Sequence, residues 1–244
     1  MFVDQDFVVG YRHIDREYKL TNRAILGYFE DAAGMHTTRA GYGVQQIPET
    51  HMGWFLIWVR LKVIKRPVYG ERIKAVTWAA GMNRLYAFRN YEAKNEAGET
   101  VAISASRWVP VDVRTGTIIR LTDEICKKFE PEDKHNFEDE IASCKLREPS
   151  GYSISKEQVI TTSMIDFQNH VHNTYYLYFI SEILPEDKRG MDINEVEIYY
   201  KNQILHGETV KVLYGEENGN HYVAIKTRDE KELHALIKFE LTPA

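Results

Sequence analysis

Residues 164–173, with the sequence MIDFQNHVHN, place a carboxylate, amides and imidazoles directly before a predicted helix. The following run, residues 174–180 (TYYLYFI), is apolar or aromatic on nearly every side, which predicts a helix buried within protein. Amides at the N-terminus of such a helix have no partner within the helix, so they would point at whatever the polar segment binds. The stretch therefore predicts a loop, cap and helix at the rim of an active site.

This unit has a counterpart near the start of the chain. An offset of 151 residues aligns Asp15 with Asp166, Asn22 with Asn173, and Leu26 with Leu177. Further along, the offset falls to 137 residues, which aligns residues 70–74 (GERIK) with residues 207–211 (GETVK). The first copy therefore contains extra residues, which fall around Ala40 to Met52, a stretch typical of a loop or lid. A repeat of this size predicts two halves of similar structure.

Length and composition agree with two packed units. A chain of 244 residues matches two domains of roughly 100 to 150 residues each. The formal net charge of −5 argues against a general nucleic-acid binder. Residues 1–6 lack the pattern of a secretory signal, and no apolar run approaches the roughly 20 residues of a membrane span, so we expect a cytoplasmic protein without membrane insertion. Cys126 and Cys144 suggest neither a disulfide framework nor a metal site.

Each half predicts a leading strand, one helix and further strands. The helices are expected at 23–38 and 173–184, with Asn22 and Asn173 as N-caps. Strands are expected at 7–9, 55–63, 71–79, 85–93 and 100–111, and at 155–162, 194–200, 209–216, 221–228 and 232–241. Tight turns between consecutive strands require antiparallel pairing, which gives an α+β class. The predicted division is an N-terminal domain of residues 1–120, a linker of residues 121–151 with a short helix at 122–129, and a C-terminal domain of residues 152–244.

Several separated motifs carry a family resemblance. They are residues 53–58 (GWFLIW), 67–71 (PVYGE), 77–78 (TW), 106–108 (SRW), and Asp166 with residues 170–173 (HVHN). Over about Phe7 to Lys238 the chain resembles acyl-acyl carrier protein thioesterases of the plant and bacterial type. The resemblance implies a tandem, or double, hotdog fold in which each antiparallel sheet wraps around a long helix. It also implies acyl-chain binding in the first half and catalytic residues in the second.

The resemblance also assigns catalytic positions. The family segment Asp-x-Asn-x-His-Val-Asn-Asn places its Asp on Asp166, its Asn on Gln168 and its His on His170. Its next catalytic carboxylate aligns with Gln203, and Ile204 stands where plant members have a cysteine. An amide cannot act as a general base, so Gln203 departs from the family chemistry. Both glutamines are expected to position water or the substrate carbonyl.

Thioester hydrolysis requires activation of water and stabilisation of an oxyanion. A histidine suits proton transfer near neutral pH, so His170 is expected to take a proton from water or donate one to the thiolate, with Asp166 orienting the imidazole or acting as base. A helix N-terminus favours developing negative charge, and the amides of Val171 and His172 are therefore expected to bind the oxyanion.

An apolar channel is expected in the first half. Its predicted lining is Ile25, Phe29, Ala33, Met35, Phe55 and Ile57. Each buried methylene contributes about 0.8 kcal/mol, so the depth of the channel would set chain-length preference. Acyl carrier proteins are acidic, and Arg60 and Lys62, on one face of a strand that ends in Lys65 and Arg66, are a candidate docking surface; an ordinary solvated strand face is the alternative.

Structural alternatives remain open for several of these residues. One alternative is that Asp166 only binds local amides, because Asp15 aligns with it in a half without the histidine. A metal pair formed by His170 and His172 lacks an evident third ligand, and solvated histidines are favoured. The run from Tyr175 to Ile180 is favoured as core rather than as a wall of the acyl site, and no activating residue is evident for Cys126.

The sequence therefore predicts hydrolysis of fatty acyl thioesters on acyl carrier protein, without a cofactor or a metal. An acyl-CoA thioesterase and an acyl-binding module with weakened catalysis are the alternatives; a hydroxyacyl dehydratase fits the fold but not the ordered motifs. Two fused hotdogs are compatible with a monomer or a homodimer.

Overall fold

A computed structural model describes residues 1–138 and 146–243 of the chain. The chain divides into two compact units, Met1–Ser143 and Cys144–Ala244. Cys144 and the middle of the expected linker lie outside the described residues. No helix of the described part is long and apolar enough to cross a bilayer.

The first unit is an antiparallel sheet with one long helix packed against it. Its elements are β1 (Val3–Val8), α1 (Asn22–Arg39), α2 (Ile47–Thr50), β2 (Met52–Val63), β3 (Arg72–Met82), β4 (Ala87–Lys94), β5 (Thr100–Asp112), β6 (Thr117–Ile118) and α3 (Asp123–Lys128). The strands pair in the order β1-β3-β4-β5-β2, and β6 pairs with the far end of β5. Helix α1 packs against β1, β2 and β3.

The second unit repeats this order. Its elements are β7 (Ile154–Val159), a 3₁₀ turn (Asn173–Tyr175), α4 (Tyr176–Ile183), β8 (Asp192–Tyr200), β9 (Thr209–Glu217), β10 (Asn220–Thr227) and β11 (Leu233–Thr242). Its strands pair in the order β7-β9-β10-β11-β8, which matches the first unit strand for strand. The two predicted halves, their helices and their antiparallel strands are confirmed, with boundaries shifted by a few residues.

Apolar periodicity in α1 turns one face toward the sheet. The buried residues of α1 include Ile25, Phe29, Ala32 and Ala33, at helical spacing. In α4 the prediction of burial on all sides is wrong for one face, because Tyr178 is 45% exposed. Phe179 and Ile180 are buried whereas Ser181 and Glu182 are exposed, so the helix is amphipathic.

The helix caps also differ from the prediction. Thr21, not Asn22, caps α1: its Oγ1 accepts a hydrogen bond from the Ala24 N–H at 3.2 Å. Asn22 instead accepts a hydrogen bond through Oδ1 from Arg66 Nη1 at 2.8 Å. Adjacent threonine and asparagine are both good caps, and the backbone places only the first of them at the cap position.

A buried polar cluster ties α1 to the sheet of the first unit. Arg89 Nη1 donates to His36 Nδ1 at 2.9 Å, and His36 Nε2 donates to the Phe129 carbonyl at 3.2 Å. Burial lowers the pKa of His36 to about 3, and the positive charge of Arg89 acts in the same direction. His36 is therefore a neutral structural histidine.

Residues 129–138, which we call the strap, run from α1, where the Phe129 carbonyl binds His36, onto the strands β3, β4 and β5 of the first sheet. Trp78 Nε1 donates to the Lys134 carbonyl at 2.7 Å, and Asn136 Nδ2 donates to the carbonyls of Tyr91 at 2.7 Å and Ser104 at 3.0 Å. Part of the stretch expected to be a linker is thus packed against the first unit.

Candidate active site

The polar segment of the second unit forms a tight turn. Ile165 and Val171 pair as an antiparallel bridge, and the Asp166 N–H donates to the His170 carbonyl at 2.9 Å. Asn169 closes the turn with a φ of 66°, a left-handed conformation that asparagine tolerates better than most residues. The fold therefore brings Asp166, Gln168 and His170 together, as the sequence predicted.

The Asp166 carboxylate stabilises this turn. Its Oδ1 accepts hydrogen bonds from the N–H groups of Gln168 at 2.8 Å and His170 at 3.3 Å. A structural task for Asp166 is established by these contacts, and its catalytic role stays a prediction. Oδ1 accepts the hydrogen bonds of the turn amides, which leaves Oδ2 as the carboxylate oxygen available for catalysis.

The predicted oxyanion donors are wrong. The Val171 N–H donates to the Ile204 carbonyl at 2.9 Å, and the His172 N–H donates to the Met164 carbonyl at 2.9 Å. Both amides precede the helix and are consumed in holding the turn in place. Neither can donate to a substrate oxygen without losing its partner.

His172, rather than Asn173, caps the second helix. Its Nδ1 accepts a hydrogen bond from the Thr174 N–H at 3.3 Å and lies 3.0 Å from Thr174 Oγ1. The predicted cap at Asn173 is therefore corrected by one residue, as at Asn22. Among the described residues no group of three or more potential ligands could hold a metal ion.

Asn173 has a different place in the site. Its carbonyl accepts a hydrogen bond from the Tyr200 hydroxyl at 3.0 Å. Its N–H lies in the first turn of the helix, and no hydrogen-bond acceptor for it occurs within residues 1–138 and 146–243. This amide, which no sequence pattern distinguishes, has the character expected of an anion donor.

Gln203 lies on the segment beside the turn. Gln203 is followed by Ile204, whose carbonyl accepts the hydrogen bond from the Val171 N–H, and by Leu205, which pairs with His170 as an antiparallel bridge. The Gln203 residue is exposed, whereas Ile204 is fully buried. All four predicted catalytic residues are thus brought into one region of the second unit.

Two further titratable residues accompany them. Burial raises the pKa of Tyr176, and the negative charges of Glu208 and Asp166 raise it further, so the phenol stays protonated beside the turn. His234 Nδ1 lies 3.1 Å from the Gln203 carbonyl oxygen. Neither residue belongs to a recognisable motif, and only long-range strand pairing brings His234 to Gln203.

The predicted acyl-contacting residues lie in the first unit. Ile25, Phe29 and Ala33 are buried on the sheet-facing side of α1, where Phe29 stacks on Tyr91 with ring centroids 5.0 Å apart. Met35, Phe55 and Ile57 are half-buried. Strand register shifts between Leu56 and Trp58, so Ile57 lies at a β-bulge of β2. Their contact with substrate stays a prediction.

Two cations of the proposed docking strand already make contacts within the first unit. Arg66 Nη1 donates to the Leu20 carbonyl at 2.9 Å as well as to Asn22, which fastens the start of α1. The Arg60 guanidinium lies over the Phe137 ring, 4.4 Å from its centroid. Arg66 is therefore a structural residue, and Lys62 and Lys65 are exposed cations of this stretch.

The two units are antiparallel sheets of the same topology, and the second unit carries the His170 imidazole on its turn. This arrangement defines a double hotdog protein. A model of the acyl-ACP thioesterase N-terminal domain matches residues 2–129, and a model of the acyl-ACP thioesterase C-terminal domain matches residues 148–240. The chain belongs to the acyl-ACP thioesterase family.

Known proteins agree with this assignment. The chain is 22% identical over 239 residues to the chloroplastic oleoyl-acyl carrier protein thioesterase 2 of Arabidopsis thaliana, covering 90% of this chain and 64% of that protein. It therefore spans less than two thirds of that relative. Crystallised acyl-ACP thioesterase from Bacteroides thetaiotaomicron is similar in fold with a TM-score of 0.81 at 19% identity, covering 99% of this chain and 98% of that one. The 12:0-ACP thioesterase of Umbellularia californica gives a TM-score of 0.84 at 15% identity, covering 100% and 98%.

Proposed function

We propose that this chain hydrolyses fatty acyl thioesters carried on acyl carrier protein and releases the free fatty acid. The observation that carries the proposal is the turn of the second unit, which gathers Asp166, Gln168 and His170 beside Gln203 in a chain matched by both domains of the family. The relatives named above act on acyl carrier protein thioesters according to their names.

The reaction follows from the groups available. His170 takes a proton from water, whose oxygen forms a bond to the thioester carbonyl carbon. The Asn173 N–H and the Gln168 side-chain amide are the donors we assign to the oxyanion, in place of Val171 and His172. When the carbon–sulfur bond breaks, the imidazolium returns its proton to the departing thiolate. The carboxylate Oδ2 of Asp166 stabilises the positive imidazolium.

Gln203 supports an alternative from another class. An amide at the position of the family carboxylate supplies no base, which favours an acyl-binding protein with weak turnover. The acyl chain in either case is assigned to the first unit, where Ile25, Phe29 and Ala33 form the apolar face of α1.

A panel of acyl chains on acyl carrier protein and on CoA tests these proposals together. We expect the wild type to hydrolyse the carrier-protein substrates faster, and His170→Ala to lower kcat by about 10²- to 10⁴-fold. Lys19→Ala, at the equivalent position of the first unit, is the matched control and keeps wild-type kcat. Binding without turnover of any thioester supports the acyl-binding alternative, and faster turnover of CoA substrates supports the acyl-CoA thioesterase.

A further inference from the structure

His234 is a buried histidine at the start of β11, next to the candidate site. It is 6% exposed, and its Nδ1 lies 3.1 Å from the Gln203 carbonyl oxygen. A carbonyl oxygen only accepts hydrogen bonds, so the proton must lie on Nδ1. In the neutral ring, Nε2 is then a bare acceptor.

The other nitrogen of this ring is unsatisfied. Nε2 of His234 is buried and has no hydrogen-bond partner among the described residues. Burying an acceptor without a donor weakens the folded state, and an apolar side chain of similar size would avoid that loss. The Nδ1–H bond to Gln203 is therefore the contribution that a leucine at position 234 could not replace.

This bond belongs to a chain of contacts that reaches His170. The His234 carbonyl accepts hydrogen bonds from the Lys201 N–H at 2.8 Å and the Asn202 N–H at 3.1 Å. Three consecutive residues, 201–203, are thus fastened to one residue of β11. The next two residues are paired with the catalytic turn, through the Ile204 carbonyl on the Val171 N–H and the bridge from Leu205 to His170.

We propose that His234 is a positioning residue for thioester hydrolysis, a role that rests on the proposed function. Its Nδ1–H fixes the Gln203 carbonyl, and the segment from Gln203 to Leu205 then holds the His170 turn at a set distance from the Gln203 amide. Small displacements of reacting groups cost catalysis far more than they cost folding. The histidine therefore acts on kcat through geometry and does not touch the substrate.

Two substitutions of His234 test the Nδ1–H donor, because one keeps a donor at that place and the other removes it. In His234→Asn the side-chain amide N–H takes the place of Nδ1–H, whereas His234→Leu fills the site without a donor. We expect His234→Leu to lower kcat by about ten- to a hundredfold with KM unchanged within about twofold. His234→Asn should recover kcat to within about threefold of the wild type, because it keeps the donor.

A matched control separates this role from a general loss of packing. His221, on β10 of the same unit, is a largely buried histidine whose Nδ1 lies 2.8 Å from the Tyr214 hydroxyl, and it pairs with Phe239, five residues along β11 from His234. His221→Leu should keep wild-type kcat. Equal losses of kcat in His221→Leu and His234→Leu would overturn the proposal, as would a His234→Leu variant with wild-type kcat.

Hydrogen exchange followed by mass spectrometry gives a readout independent of turnover. Peptides covering residues 164–173 and 200–206 should exchange faster in His234→Leu than in the wild type and at the wild-type rate in His234→Asn. Unchanged exchange in His234→Leu refutes the positioning role whether or not the wild type is active. A wild type that hydrolyses no thioester, with the expected exchange pattern, refutes the proposed function and the catalytic part of the His234 role, and leaves the fastening of residues 201–203 established.

Discussion

Asp15 and Asp166 hold the same turn in the two units. Asp15 Oδ1 accepts hydrogen bonds from the N–H groups two and four residues further on, at 2.9 and 3.0 Å, and Asp166 Oδ1 does the same at 2.8 and 3.3 Å. The turn is therefore a structural feature of both units, whereas only the second unit bears an imidazole on it. Loss of activity after mutation of Asp166 is ambiguous unless stability is measured as well.

Alanine at either aspartate should destabilise the protein. Removing the acceptor takes the partner from two amides of each turn, so in denaturant titrations Asp166→Ala, in the part-buried turn, should lower the free energy of unfolding by about 1–3 kcal/mol, and Asp15→Ala, in the exposed turn, by about 0.5–1.5 kcal/mol. Asparagine keeps an Oδ1 acceptor and should recover most of that loss at both positions. Asp166→Asn should still lower kcat, unlike Asp15→Asn. Wild-type stability of Asp166→Ala would contradict the structural role.

Restoring a carboxylate at Gln203 should strengthen catalysis. Gln203→Glu supplies a base beside the turn, and we expect kcat to rise about tenfold above the pH at which the carboxylate ionises. The pH profile should gain an acidic limb near pH 4–5, since a glutamate ordinarily titrates at about 4.3. Gln158→Glu adds the same charge on β7 and controls for net charge. Identical pH profiles for Gln203→Glu and the wild type would show that this position takes no part in proton transfer.

Thr21 provides a test of the helix cap. Thr21→Ala removes the acceptor of the Ala24 N–H and should lower the free energy of unfolding by about 1 kcal/mol, whereas Thr21→Ser should keep it. Thermal or chemical denaturation of the two variants makes the comparison. Equal stability of the alanine and serine variants would return the cap to Asn22.

His36 should make stability depend on pH. An unfolded histidine protonates near pH 6.5, and the folded pKa of His36 is lowered to about 3, so the unfolded state binds more protons between these values. Stability present above pH 6.5 is therefore lost as the pH falls through this window, by at most about 1.4 kcal/mol per pH unit. His36→Gln cannot titrate and should show a shallower decline in denaturant titrations from pH 6.5 to 4. Parallel curves for variant and wild type would contradict a neutral buried His36.

Sequence periodicity predicted both helices and most strand positions because each element is amphipathic or rich in β-branched and aromatic residues. The repeat predicted two equivalent units, and their strand orders agree. The caps were misplaced by one residue each: Thr21 precedes an asparagine that is as suitable by type, and His172 is not a residue type preferred at the cap. Side-chain geometry decides between them, and a sequence does not contain it.

The candidate site was predicted in part. Asp166, Gln168 and His170 are close in sequence, so their proximity required only a turn, and Gln203 came from the family resemblance. The amides of Val171 and His172 were misassigned, because their acceptors Ile204 and Met164 are set by backbone pairing. His234 lies 31 residues from Gln203, and no local pattern distinguishes it from a histidine on a strand face.

The strap has a practical consequence for dissecting the molecule. A recombinant fragment that stops at residue 120 would strip the cover from one side of the first sheet and leave the Trp78 indole and the carbonyls of Tyr91 and Ser104 without their partners. It would also lose Phe129, whose carbonyl accepts the hydrogen bond from the neutral His36. Any truncation meant to yield a well-behaved N-terminal half should therefore retain everything up to residue 138.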